Sequence, residues 1–439
     1  MMVQIKLSNL SQVDKRKWSN SLLVIITTLL SIIYFFSGYI KWLELVVTVG
    51  AGIFFLFAPV QQSFCLFLFL HNFINSNFTV AYSFRFTFNI FTIILAIKYL
   101  VGLKRKKYKF YTNIFFCLLI VFILSILLSI PEKKYYAAEA YISYLPLFYL
   151  FFAMRHEFNI REAMKYFLYG FVLSCVLAYF SMKLPDYSYN INKYRFGAFS
   201  ENPNYLYMRA LLIISFYLHL FLTENISLVK LAPVFIFCAF ITLTTRSKTG
   251  ICLLLLITLL SFIIYLRNDF KKRIKIVGIC LLGLILFSIF MRDFISSIWE
   301  RFTYSNGDFI NSLLTGRDTI WLEYIRQWCK TPISFLFGKG LLTAEPYVNA
   351  HNNMMASHNL YLFLLYRFGL LGSILLGFSF YLMVKTISKK PQNISAYLPL
   401  TWFLLESFCD NTFKAFNIIF LVIVIMILFS NQSKNSTKK

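Results

Sequence analysis

The sequence is poor in charged residues, and acidic residues are the scarcer kind. Only 14% of its 439 residues are Asp, Glu, Lys or Arg, with 18 acidic residues against 43 basic ones. An ordinary soluble domain carries about a quarter charged residues, so this composition excludes that class of protein. Hydrophobic residues instead make up 59% of the chain and aromatic residues 19%. These proportions indicate a membrane protein.

Several common chemical signatures are also missing. The sequence contains no HExxH zinc motif, no P-loop, no GxSxG nucleophile motif and no paired DxD carboxylates. Its eight cysteines are scattered through apolar stretches, with neither zinc-ligand spacing nor a disulfide framework. The net charge of +25 comes from short basic clusters between apolar runs, which argues against a nucleic-acid surface. We therefore expect no metal, no cofactor and no nucleic-acid partner.

Apolar runs recur along the whole chain, and about 20 apolar residues are enough for one transmembrane helix. The first run follows a basic leader and lacks a small-residue cleavage site, so we expect a membrane helix there and no cleaved signal peptide. The pattern predicts a single all-α polytopic domain over residues 1–439. It has about fourteen spans, at 21–37, 42–59, 62–75, 86–103, 110–130, 141–154, 163–181, 205–222, 229–245, 249–266, 275–291, 358–384, 394–408 and 414–430.

The basic clusters give the expected orientation. With fourteen spans, all the strong Lys and Arg clusters fall on one side, which the positive-inside rule assigns to the cytoplasm together with both termini. The opposite face then receives one long loop, residues 292–357, between the eleventh and twelfth helices. Its apolar stripe predicts an amphipathic helix lying on the membrane surface, ended by Gly338 and Gly340. The stripe consists of Ile320, Trp321, Tyr324, Ile325 and Trp328.

Two segments on the same outer face carry arginines beside predicted helix starts. Arg195 precedes an Asn-Pro-Asn sequence in which Asn202 or Asn204 could cap a helix, and a helix start with an arginine attracts phosphate. Glu201 is either a proton acceptor or a solvated charge. Arg246 lies in a tight connection with Lys248, where it either contributes to an anion site or snorkels to lipid headgroups.

The long loop and its exit supply two further candidates. Arg317 follows a glycine that permits close backbone approach, although a surface ion pair with Asp318 would explain it equally well. His358 and Asn359 stand immediately before the next apolar helix, at the outer rim of the bundle. An imidazole there suits proton transfer.

These features occur in an order that resembles the O-antigen ligase and polymerase superfamily, over roughly residues 190–375. The motifs are Arg195-Phe196-Gly197-Ala198-Phe199 with Asn202-Pro203-Asn204, Thr245-Arg246-Ser247, Gly316-Arg317 with Trp321, Gly338-Lys339-Gly340, His358-Asn359-Leu360-Tyr361-Leu362, and Phe368-Gly369-Leu370-Leu371-Gly372.

The resemblance implies a bacterial, inverting, metal-independent glycosyltransferase with a GT-C-like fold in the cytoplasmic membrane. Its donor and acceptor would be undecaprenyl-pyrophosphate-linked oligosaccharides. Arg195, Arg246 and Arg317 would bind the donor pyrophosphate, and His358 with Arg317 would act in catalysis. Lys248, Glu201, Asn204 and Asn359 would support them. The lipid bilayer, a flippase and a chain-length regulator are the expected partners.

Within this family, the fourteen helices and the insertion at 349–355 favour a repeat-unit polymerase that builds a capsular or O-antigen-like polysaccharide. A ligase that transfers the finished glycan to another acceptor is the alternative. A lipid-linked oligosaccharide flippase is a third, but it would place charges inside the bundle. Here we expect the arginines to gather at one face.

Overall fold

The computed structural model describes residues 20–40, 42–73, 82–128, 144–184, 195–199, 202–223, 225–267, 317–340, 345–348, 353–387 and 394–409, with positions 296, 423, 424 and 427. Helices dominate this part of the chain, and the one sheet within it is a hairpin of two short strands. The helices are α1 (Asn20–Phe36), α2 (Leu43–Phe57), α3 (Val60–Leu70), α4 (Tyr82–Lys104), α5 (Thr112–Leu127), α6 (Tyr144–Ala153), α7 (Ile160–Ser181), α8 (Pro203–Leu222), α9 (Leu228–Thr244), α10 (Lys248–Leu266), α11 (Arg317–Trp328), α12 (Pro332–Phe337), α13 (Leu360–Ile387) and α14 (Leu398–Cys409).

Helices occupy twelve of the fourteen predicted spans. Five of the described helices, which are parts of α4 and α13 and the whole of α7, α8 and α10, are long and apolar enough to cross a membrane. Within the described residues, the third predicted span overlaps the short helix α3, of 11 residues, and the sixth overlaps α6, of 10 residues. A helix of that length extends about 16 Å, roughly half of a hydrocarbon core. The predicted spans 275–291 and 414–430 lie wholly or mostly outside the described residues. The chain is therefore a helical multi-pass membrane protein, and the span count of fourteen stays a prediction.

The chain divides into two compact units. Unit 1 comprises residues 1–111 and 143–202, and unit 2 comprises residues 112–142 and 203–439. In unit 1, α3 packs against α1 and α7, and α4 packs against α2 and α6. Phenylalanines fill its core: the rings of Phe67 and Phe91 stack with their centroids 4.4 Å apart. The Asn72 amide nitrogen donates to the Phe167 carbonyl at 3.1 Å, which ties the residues after α3 to α7.

Unit 2 is built around α8. This helix is buried along most of its length and packs against α9, α10 and α14. The second part of the unit is α13, which contacts α5, α11, α12 and α14. Strands β1 (Tyr347–Val348) and β2 (Asn353–Met354) pair antiparallel in the chain segment between α12 and α13.

Candidate active site

The connection between α9 and α10 holds Arg246 in an unusual backbone conformation. Arg246 has a φ of 50°, in the left-handed region that non-glycine residues rarely occupy, and its side chain is half-buried. The next residue, Ser247, caps α10 by accepting a hydrogen bond from the Gly250 amide at 3.4 Å. The Thr245 hydroxyl donates to the Thr242 carbonyl at 2.7 Å and accepts from the Ser247 amide. These hydroxyl groups hold the turn in which Arg246 lies.

The start of α13 repeats the same arrangement. His358 has a φ of 45° and is half-buried, and it immediately precedes the residue that caps the helix. That residue is Asn359, whose side-chain oxygen accepts a hydrogen bond from the Leu362 amide at 3.1 Å. Asn359 was predicted to support the site, and its observed contact is this helix cap. Strained backbone of this kind costs energy and concentrates at functional positions.

Hydrogen bonds and close packing bring these two helix starts to one end of unit 2. Tyr207, in the second turn of α8, lies against Gly250 of α10, and its hydroxyl donates to Glu406 of α14 at 2.7 Å. Near Glu406, the Leu404 carbonyl accepts a hydrogen bond from the Tyr361 hydroxyl in the first turn of α13, at 3.1 Å. The starts of α8, α10 and α13 therefore share one end of this unit with the last turns of α14.

The helix that begins with Arg317 packs next to His358. The Trp321 indole nitrogen donates to the Ser357 carbonyl at 2.9 Å, directly before His358 in the chain. Arg317 lies one turn earlier on the same face of α11 as Trp321, and its side chain is half-buried. Tyr324 adds a second contact, since its ring meets that of Tyr366 at 4.9 Å. The fold thus holds the Arg317 helix against the residues that lead into α13.

Protein covers part of the amphipathic stripe of α11, which the sequence predicts to lie on the membrane surface, while Ile325 of the same stripe is 41% exposed. Ile320 and Tyr324 are only 2% and 1% exposed because they pack against Val348 and Tyr366. Trp328 also contacts protein: its indole nitrogen donates to the Phe335 carbonyl at 2.9 Å. Hydrophobic periodicity predicts that this face of the helix is covered. It does not say whether lipid or other parts of the protein cover it.

Two glycine motifs that the sequence singled out separately are paired in the structure. The helix α13 is broken at Gly369, which has a φ of 65°, and α12 ends at Gly338, with a φ of 81°. The Lys339 amide donates to the Tyr366 carbonyl at 2.8 Å, and the Gly340 amide donates to the Arg367 carbonyl at 3.0 Å. A Cβ on Gly338 would lie 2.5 Å from the Arg367 carbonyl oxygen, so no side chain fits there. We call this contact the glycine clasp.

The remaining candidates lie in other segments or in the first turns of helices. Arg195 belongs to unit 1, where it is half-buried in the segment 195–199. That segment is anchored by Phe199, which is fully buried against the rings of Tyr34 and Phe73. Lys248 is half-buried in the first turn of α10, and Asn204 is half-buried in the first turn of α8. Pro203 is the first residue of α8, and Glu201 lies outside the described residues.

A comparison with known protein families identifies part of this unit. Residues 233–377 match the family model described as O-antigen ligase. This region belongs to the O-antigen ligase and polymerase superfamily. No curated protein matches the chain. The O-antigen ligase region contains Arg246, Arg317 and His358 together with the glycine clasp, whereas Arg195 lies outside it. The match supports an activity of the ligase or polymerase type and does not separate the two.

The O-antigen ligase region and its neighbours also bury charged side chains that sequence reasoning missed. Arg209 of α8, Arg367 of α13 and Glu406 of α14 are at most 5% exposed. Charged side chains are therefore also buried within predicted spans of unit 2, in addition to the arginines expected at one face. Each of these residues is flanked in the sequence by apolar residues, so averaged hydropathy conceals it. The signal that could have found them is simply a charge inside a predicted span.

Potential metal ligands do not cluster in the described part of the chain. Among these residues, no three His, Cys, Asp or Glu side chains come together closely enough to hold a metal ion. The polar groups at the shared end of unit 2 include Arg246, His358, the phenols of Tyr207 and Tyr361, and the carboxylate of Glu406.

Proposed function

We propose that this protein is an inverting membrane glycosyltransferase that polymerises undecaprenyl-pyrophosphate-linked repeat units into a capsular or O-antigen-like polysaccharide. The reaction would take place on the outer face of the bacterial cytoplasmic membrane. The observation that carries the proposal is that Arg246, Arg317 and His358 all lie within the O-antigen ligase region. Support comes from the shared end of unit 2, where Arg246 and His358 each precede a capped helix start in strained backbone.

The chemistry follows from the groups available. An acceptor hydroxyl oxygen forms a bond to the anomeric carbon of the donor while the bond from that carbon to the pyrophosphate oxygen breaks. His358 takes the proton of the hydroxyl, and the pyrophosphate leaves with the electron pair. Arg246, Arg317 and the amides at the start of α10 stabilise the negative charge that develops on the leaving group. A single in-line displacement inverts the anomeric carbon.

Fixed arginines favour the transition state over the ground state, because the leaving-group charge grows as the bond breaks. Arginine is suited to this role, since its planar guanidinium binds phosphate oxygens in pairs. In this proposal the arginines replace the metal ion that a soluble glycosyltransferase would use. Arg195 is the third proposed pyrophosphate ligand, with Lys248, Asn204 and Glu201 in supporting roles.

The test is an assay with purified protein and a defined lipid-linked repeat unit. We expect Arg246→Ala, Arg317→Ala and His358→Ala each to reduce kcat/KM by about a hundredfold, the usual effect of removing one such group. Arg195→Ala is measured in the same series. The matched control is Arg326→Ala, since Arg326 is an exposed arginine on the same helix as Arg317. Wild-type activity in the Arg246, Arg317 and His358 variants would refute the proposal, and activity should persist in EDTA.

A ligase is the second candidate, because the matching family model is described as O-antigen ligase. A deletion strain separates the alternatives. Single repeat units on the surface glycan indicate a polymerase, whereas full-length chains that stay on the lipid carrier indicate a ligase. Donor that accumulates in the cytoplasmic leaflet would indicate a flippase instead. A flippase and a chain-length regulator are the proposed partners of the polymerase.

A further inference from the structure

A buried hydrogen bond links two helices at the end of unit 2 that holds Arg246 and His358. The Tyr207 hydroxyl of α8 donates to Glu406 of α14 at 2.7 Å, the usual distance for such a bond, and both side chains are almost fully buried. An ionisable residue inside a membrane bundle is costly and most often serves function. Glu406 lies outside residues 233–377, so the family match does not account for it.

The ring of Tyr207 also sets the position of α10. Gly250 lies directly against this ring, and a Cβ on Gly250 would come within 2.7 Å of the ring carbon Cγ. The amide of Gly250 donates the capping hydrogen bond to Ser247, which directly follows Arg246 in the chain. A shift of the Tyr207 ring would therefore move the first turn of α10 and Arg246 with it.

The other side of the link reaches His358. Two residues before Glu406, the Leu404 carbonyl accepts the hydrogen bond from Tyr361, and the ring of Tyr361 meets that of Phe408 at 4.4 Å. Tyr361 lies in the first turn of α13, three residues after His358. The end of α14 thus contacts the start of α13 directly, and it contacts the start of α10 through Tyr207.

We propose that Tyr207 and Glu406 are positioning residues that fix the separation of Arg246 from His358. This inference rests on the proposed function, because it assumes that these two side chains act on one substrate. The hydrogen bond suits a positioning role, because it is stronger in a low-dielectric interior than in water and breaking it leaves a buried polar group unsatisfied. Small misplacements of reacting groups can reduce turnover up to about a hundredfold.

The main test is Tyr207→Phe, which removes the hydroxyl and keeps the ring against Gly250. We expect kcat to fall about tenfold while KM for the lipid-linked donor changes less than about twofold. Glu406→Gln keeps an acceptor oxygen and should retain at least about half of the wild-type kcat, whereas Glu406→Leu should match Tyr207→Phe. An unchanged kcat in Tyr207→Phe would overturn the proposal.

The control is a second buried hydrogen bond near the opposite end of the same helix. His219 of α8 contacts the Ser395 hydroxyl at 2.9 Å, and both residues are buried. Ser395→Ala should leave kcat per folded molecule unchanged. Equal losses of kcat in Ser395→Ala and Tyr207→Phe would show that any buried hydrogen bond in α8 has the same effect, which contradicts a positioning role.

A distance measurement keeps the inference testable apart from the activity. Nitroxide labels on the exposed Cys252 of α10 and on Leu404→Cys of α14 report the separation of the two helices by EPR, in a background where Cys117, Cys280, Cys329 and Cys409 are replaced by Ser. We expect Tyr207→Phe to broaden or lengthen this distance and Glu406→Gln to preserve it. An unchanged distance in Tyr207→Phe overturns the positioning role. A wild-type protein with the expected distances but no transferase activity would instead overturn the proposed function.

Discussion

The starts of α10 and α13 have the same local design but different means of support. Each begins with a candidate side chain in left-handed backbone, Arg246 or His358, followed by a polar residue that caps the helix. The turn before α10 is held mainly by its own hydroxyl groups, within a few residues. The segment before α13 is held from a distance: Trp321 contacts Ser357 from 36 residues earlier.

The two candidate side chains therefore depend on different parts of the sequence. The geometry at Arg246 depends on its own turn and, through Gly250, on Tyr207 of α8, so it should survive changes in the long loop. The geometry at His358 depends on the loop helices and on the glycine clasp, so it should not. Three pairs of variants test this contrast between the two helix starts.

The largest effect is expected from the clasp. In Gly369→Ala, a Cβ would collide with the backbone of Gly338 in a conformation that alanine disfavours, which should cost about 3 kcal/mol of unfolding free energy and most of the activity. The matched control is Gly377→Ala in the same helix, since no atom lies within 4 Å of a Cβ there. That variant should be neutral or gain up to about 1 kcal/mol from helix propensity.

Thermal unfolding in detergent and polymerisation rates would measure both clasp variants. Equal stability in Gly369→Ala and Gly377→Ala would contradict the clasp and would remove the proposed dependence of α13 on the loop.

A smaller effect is expected from the indole contact next to His358. Trp321→Phe removes the hydrogen bond to the Ser357 carbonyl, worth about 1 kcal/mol, and should lower kcat about fivefold by loosening the approach to His358. Trp328→Phe removes an equivalent bond to Phe335 between α11 and α12, and should leave kcat unchanged. Steady-state kinetics on both proteins make the comparison, and equal kcat values for the two would sink the idea that Trp321 supports His358.

The smallest effect is expected from the caps themselves. Ser247→Ala and Asn359→Ala each remove a side-chain acceptor from a helix start, which costs about 1 kcal/mol on average. Because the local designs match, the two losses of unfolding free energy should agree within about 0.5 kcal/mol. If only Asn359→Ala lowered the unfolding free energy, the starts of α10 and α13 would share a backbone geometry but not the stabilising effect of a cap.

The helix positions were the most predictable part of the fold, because long apolar runs must cross or enter a membrane wherever they end up packing. Most described helices accordingly fall on predicted spans. The short third span was harder, since Val60–Leu70 stops well before an apolar segment of full length would. Where an apolar helix stops depends on turns and neighbouring helices, which hydropathy does not encode.

The candidate site was predictable in its residues but not in its supports. Arg246 and His358 stand out because they are polar residues beside apolar runs. The residues that hold them are not adjacent in the sequence, so the local pattern does not predict these contacts. Trp321 contacts Ser357 through tertiary packing, and Tyr207 contacts Glu406, which lies 199 positions away. Hydrophobic periodicity identified the buried face of α11 but could not say whether protein or lipid covers it.

The glycine clasp has a consequence for how the loop can move. The carbonyls of Tyr366 and Arg367 belong to the last turn before the break in α13, where a helix cannot satisfy them itself, and the amides of Lys339 and Gly340 take that role. Moving residues 338–340 away would leave the carbonyl oxygens of Tyr366 and Arg367 buried without hydrogen-bond donors, at a cost of several kcal/mol for each. The loop is thus held to α13 at residues 338–340. Any opening that admits a bulky lipid-linked substrate must therefore leave this stretch in place.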